Sequence, residues 1–133
     1  MTSAMGVQLP DRWVSATYHC ILCGAEAGQL QLTLREAGAA ATLVACGLVG
    51  EATQGVAHDT ITRLVRVLTV GNARELYQLD TEWASFYCPE CDAVYCKAHW
   101  RTRIQFGDDD EMPGWYDCTY GTCPNGHERI VDD

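Results

Sequence analysis

The chain has 133 residues, 47% of them apolar, with 18 acidic against nine basic side chains and a formal net charge of −9. That length fits one small domain with a core of its own, and no apolar run approaches the roughly 18 residues that span a bilayer. The acidic balance argues against a nucleic-acid partner, because such binding is driven by Lys and Arg displacing counterions from phosphates, and against an anionic membrane surface on the same ground.

The opening stretch, residues 1–28, is expected to be an N-terminal arm ending in a first metal knuckle. Its start, MTSAMGVQLPDRW, has no basic segment followed by an apolar one and so is not a secretory signal. A cytoplasmic location follows as an expectation. The Lys-poor, Ala- and Arg-rich composition points to a GC-rich bacterial genome. In CILCG, Cys20 and Cys23 are two residues apart and Gly24 follows directly. That spacing lets a tight turn point both sulfurs at one tetrahedral ion, and the residue after the pair often needs a positive φ, which glycine adopts freely.

Residues 29–84 are expected to form an insertion made of a hairpin and two helices. Leu30, Leu32 and Leu34 alternate with Gln31, Thr33 and Arg35, the period of a half-buried strand. Glu36 to Gly38 can turn the chain, and AATLVACGLV gives a second, more buried strand. Gly50 to Gly55 then act as a connection. From about Asp59 to Val70, Ile61, Leu64, Val65 and Leu68 recur at helical spacing and Gly71 stops the helix. Asn72, with Glu75 three residues on, starts a second short helix through Leu79.

Residues 85–133 are expected to be the main metal-binding segment. Cys88/Cys91 and Cys96/His99 repeat the two-residue separation, and Cys123/His127 are three apart. Pro89 and Asp92 supply turn chemistry to one pair, and Pro124, Asn125 and Gly126 to another. A disulfide framework would need an oxidising compartment and has no use for histidine. Eight ligands in four pairs therefore predict two structural zinc ions. Either an interleaved pairing, first with third and second with fourth, or a sequential one fits the spacing. Cys46 is expected to be a buried strand thiol; Cys118 is a spare thiol, a ligand or a nucleophile. His19 is expected beside a site and His58 in solvent. The acidic GDDDEMPG stretch lacks the ligand spacing of a calcium loop and is expected to be a solvated loop.

Other chemistries fit less well. A zinc deaminase needs His-x-Glu before Pro-Cys-x-x-Cys, and here Pro89 falls inside its cysteine pair. A thioredoxin-type redox protein needs a single Cys-x-x-Cys between a strand and a helix. No catalytic residue is assigned.

CILC, CPECDAVYCKAHW and CPNGHER together resemble the cross-braced treble-clef zinc fingers, and among them the RING fingers of ubiquitin ligases. The resemblance implies a small α+β domain with a treble-clef or RING-like two-zinc core carrying the hairpin and two-helix insertion. It also implies that the chain acts as an adaptor recruiting a ubiquitin-conjugating enzyme through the partner-binding positions Leu22, Trp100 or Trp115, and Pro124, with Arg129 helping to hold the charged ubiquitin. The alternative is a zinc-stabilised adaptor or complex subunit with no link to ubiquitin. The chain departs from the RING pattern in having Cys-x-x-Cys at the third and fourth ligands and a much longer first loop.

Overall fold

A computed structural model of the chain describes residues 12–34, 41–106 and 116–132. The acidic stretch from Gly107, Trp115 and the expected turn at Glu36 to Gly38 lie outside the described residues. The fold is mixed α/β and strand-rich. Strands β1 (Arg12–His19), β2 (Glu26–Leu34), β3 (Ala41–Gly47) and β4 (Gly50–Val56) precede helices α1 (His58–Val70) and α2 (Ala73–Leu79). A 3-10 turn at Thr81–Ala84 leads into the small hairpin β5 (Tyr87–Cys88) and β6 (Ala93–Val94). A second 3-10 turn, Lys97–His99, precedes β7 (Arg101–Phe106), β8 (Tyr116–Thr122) and β9 (Glu128–Asp132).

The first four strands form an antiparallel meander in the order β1-β2-β3-β4. Its register puts Val14, Ala16, Leu30, Leu32 and Leu43 on one face. Leu64, Val67 and Leu68 of α1 and Leu76 of α2 join that core. Leu30, Leu32, Leu43, Leu64 and Leu76 are wholly buried, each such leucine contributing about 1.5–3 kcal/mol relative to exposure. Both helix boundaries follow the local chemistry. Gly71 takes φ 76° and returns its N–H to the Val67 carbonyl at 2.9 Å, and the Asn72 side chain accepts from the Glu75 N–H at 3.1 Å.

The expected two-stranded hairpin is thus the centre of a four-stranded sheet. The segment from Gly50 to Gly55, read as a connection, is edge strand β4, exposed along its length up to Val56. The N-terminal arm supplies β1, and β2 runs unbroken across residues 28 and 29. Neither outer strand carries a strong apolar alternation. β1 turns Ala16 inward where a larger residue would have given a clearer signal, and β4 is built of Gly, Glu, Ala, Thr and Gln up to its final Val56. Both are strands because they are hydrogen-bonded to a strong neighbour.

Phe86, fully buried just ahead of β5, fastens this sheet to the cysteine- and histidine-rich half. Its ring stacks on Tyr18 with centroids 5.1 Å apart and lies against Gly28, where a Cβ would run into ring atoms Cε2 and Cδ2. Gly47 makes the matching approach to the Ser85 hydroxyl, which accepts the Leu48 N–H at 2.9 Å. Gly28→Ala must displace a core ring rather than a flexible side-chain end. A loss of about 1–3 kcal/mol is expected, read as a lower denaturant midpoint at unchanged m-value.

The second sheet has the order β9-β8-β7, none of it anticipated as strands. Gly121 of β8 sits against Trp100 and Val131, where a Cβ would be 2.9 Å from Val131 Cγ1. Trp100 is 5% exposed and its indole N–H is shared between the carbonyls of Tyr95 at 3.0 Å and Phe86 at 3.2 Å. This second core also contains Cys20, Cys88, Cys96 and Cys123.

Candidate metal centre

Four tight turns present the sulfur and imidazole groups. In the first, the Gly24 N–H bonds to the Cys20 carbonyl at 2.9 Å, the Cys20 N–H to the Ala25 carbonyl at 2.8 Å, and Gly24 takes φ 77°. The Cys88–Cys91 turn places Asp92 at φ 51°, and the turn ending at His127 places Gly126 at φ 88°. Asp92 is the sole non-glycine residue with positive φ among the described residues. Its carboxylate holds the conformation by accepting the Tyr87 hydroxyl at 2.6 Å and pairing with Arg74 at 3.4 Å. Cys96 and His99 flank a single 3-10 turn closed by the His99 N–H on the Cys96 carbonyl at 2.9 Å. The Ile21 N–H donates to the Val94 carbonyl at 2.9 Å, which lays the first turn against the β5–β6 hairpin.

The pairing left open by the spacing is interleaved. Cys20, Cys23, Cys96 and His99 form one group, and Cys88, Cys91, Cys123 and His127 the other, the ligand atoms of each lying within 4.8 Å of one another. In the first group Cys23 Sγ is 3.6 Å from Cys96 Sγ, and His99 Nδ1 lies 3.3 Å from Cys96, 3.4 Å from Cys20 and 3.9 Å from Cys23. In the second, Cys91 Sγ is 3.8 Å from Cys123 Sγ, and His127 Nδ1 is 3.3, 3.4 and 3.7 Å from Cys91, Cys123 and Cys88.

These separations test what each group can hold. Sulfurs about 2.3 Å from a tetrahedral ion are about 3.8 Å apart, and a sulfur and a nitrogen at about 2.0–2.1 Å are about 3.6 Å apart. The observed edges cluster around those lengths. They far exceed the roughly 2.05 Å of a disulfide, and all eight cysteines are free thiols. Two Cys3His clusters can therefore each hold a metal ion, a donor set compatible with zinc.

The surroundings tune the sulfurs unequally. Cys91 is lowered to about 6, first by the Asn125 amide that donates to its Sγ at 3.2 Å and next by the Tyr95 hydroxyl. At Cys20, burial pushes upward, but backbone N–H groups from Cys96, Cys23 and Leu22 outweigh it and bring the thiol to about 6. Burial pushes Cys88 up to about 12, so a cation arriving there must displace a proton.

Other expected site residues fall elsewhere. Cys118, 4% exposed, lies on β8 opposite Gln105, outside both clusters. Cys46 is not a core thiol: it is half-buried and opposite Gln29 and Glu51, and its thiol donates to the Glu51 carboxylate at 3.2 Å. His19 and His58 are exposed, as are Leu22 and Pro124.

Two residues that the resemblance assigned to partner binding are committed inside the fold. Trp100 is one, for the packing given above. Arg129 is the other. Its guanidinium donates to the carbonyls of Tyr87 at 2.8 Å, Ala84 at 2.9 Å and Thr81 at 3.0 Å, and stands over the Tyr77 ring at 5.1 Å. Burial lowers its affinity for a proton. Sequence alone marked Arg129 by its place after the last ligand; nothing local shows that four distant backbone and ring groups converge on it.

The family model described as Domain of unknown function (DUF8328) matches residues 12–133. No curated protein and no solved structure matches the chain.

Proposed function

We propose that this chain, which belongs to the DUF8328 family, is a protein-interaction module whose two halves are locked together by two structural zinc ions. The observation that carries this reading is the closed, interleaved ligand set. Each cluster supplies four protein ligands, which fills a tetrahedral ion and leaves no position for water or substrate, the arrangement of structural rather than catalytic zinc. The ligands would be Cys20, Cys23, Cys96 and His99 in one site and Cys88, Cys91, Cys123 and His127 in the other. Cys118 and Cys46 stand outside both and take no part.

The test is the metal itself. Purified chain should contain two zinc ions per molecule by elemental analysis. Cobalt substitution should give the intense visible bands of tetrahedral thiolate sites, unchanged by added azide or cyanide. About one zinc per chain, or a cobalt spectrum that shifts with exogenous ligand, would overturn the closed two-site reading.

Recruitment of a ubiquitin-conjugating enzyme is the second reading, favoured by the interleaving and by the exposure of Leu22 and Pro124 on turns of the two sites. Among the described residues it rests on those two positions, since Trp100 and Arg129 serve the interior. Stimulated discharge of a conjugating enzyme's thioester, lost in Leu22→Ala with both zincs retained, would support it. No stimulation by the zinc-loaded chain retires it and leaves the non-ubiquitin module standing.

A further inference from the structure

The nine basic residues are scattered along the chain, yet three of them line one groove of about 560 Å³ between the two helices: Arg63 and Arg66 of α1 and Arg74 of α2. The floor is Val67 and Leu79, and Gln78 completes the polar wall. Arg63 and Arg66 lie one turn apart on the outer face of α1, about 4.5 Å along its axis, and Val70, 66% exposed, continues the same stripe.

The charge in this groove is only partly compensated. Among the described residues Arg63 and Arg66 have no ion pair and no hydrogen bond, and Arg74 reaches only Asp92, in an exposed pair at 3.4 Å. Asp59 stands four residues before Arg63 and Glu75 lines the groove, but neither makes an ion pair. Like charges on neighbouring turns cost a helix a few tenths of a kcal/mol. A chain with twice as many acidic as basic residues had ample means to neutralise them.

We infer that this groove docks an acidic segment of a partner protein, with glutamate or aspartate side chains on Arg63, Arg66 and Arg74 and an interleaved apolar residue on Leu79. The inference rests on the reading of the chain as an interaction module and names the chemistry of its partner. Guanidinium groups match carboxylates in bidentate geometry, and the row of charges along a helix suits a row of carboxylates on a chain. At physiological ionic strength fields fade over about 8 Å, so the acidic remainder of the surface hardly weakens a ligand confined to the groove. That same remainder repels a long polyanion running beyond the groove, which disfavours a nucleic-acid strand, and it restricts an acidic partner to one orientation.

The experiment is an NMR titration of the isotopically labelled, zinc-loaded full chain with a capped peptide ELEELE, alongside QLQQLQ. Shifts should be confined to amides of residues 63–79 and weaken as salt rises, and QLQQLQ should give none. R63E/R66E should lower the affinity at least tenfold while keeping two zinc ions. R12E/R101E, an equal change of charge on exposed strand positions, should leave it unaltered. Binding of QLQQLQ, absence of ELEELE shifts, indifference to R63E/R66E, or displacement of the peptide by equimolar inorganic phosphate or a short oligonucleotide would overturn the proposal. With two zinc ions still bound, each of those results removes the groove assignment and leaves the zinc scaffold intact.

Discussion

Cys96→Ser should reduce the zinc content from two ions to about one and cost upwards of about 4 kcal/mol, the scale on which loss of a structural metal falls. The size follows from the position of the residue. Cys96 joins Cys20 and Cys23, from the turn between β1 and β2, to His99 and the strands beyond it, so an ion held there would close the chain over most of the first sheet and both helices. Cys96 also stands two residues after β6, whose partner β5 ends in Cys88 of the other cluster, and the damage should therefore spread to the second site. Elemental analysis and denaturant unfolding read the effect, and Cys46→Ser is the control. Cys46 is half-buried with its thiol on Glu51, and its replacement should cost no more than about 1 kcal/mol. Equal losses in the two variants would show that Cys96 holds no ion.

Arg129→Ala should be the second most damaging change, at about 2–4 kcal/mol. The guanidinium is the common donor to carbonyls at Thr81, Ala84 and Tyr87, and its removal strands the acceptors of the buried Ala84 and Tyr87, while Thr81 is exposed. Leaving a buried polar group unsatisfied costs about 1–3 kcal/mol, and loss of the contact with the Tyr77 ring adds about 0.5–1 kcal/mol. Arg129→Lys should recover only a minor part, because an ammonium cannot fan out to acceptors on separate turns as a planar fork does. The readout is the denaturant midpoint of the zinc-loaded protein. A loss below about 1 kcal/mol in Arg129→Ala would mean that the guanidinium is not the strut described.

What the sequence disclosed is what short segments decide. The two-residue spacing of Cys20/Cys23 and Cys88/Cys91, with Gly24 and Asp92 behind them, specifies a turn whose φ sign is local, and the structure places both at positive φ. Gly71 and Asn72 bound their helices for equally local reasons. The pairing of the clusters was hidden because it depends on how 64 intervening residues fold. β1 and β4 were hidden because a weakly patterned strand is made by its neighbour. Trp100 and Arg129 misled for a related reason: an aromatic or cationic residue beside a ligand pair has the same local surroundings whether it turns outward to a partner or inward to Tyr95 and Tyr87.

The interleaving has one more implication, for how such a chain is made. All four members of the Cys20, Cys23, Cys96 and His99 cluster precede β7, while the other cluster waits for His127. Emerging from the ribosome N-terminus first, the polypeptide can fasten its first clasp, with the meander and both helices already enclosed, before the final three strands exist. Those strands are then recruited onto Cys88 and Cys91, already held in place on the nascent body.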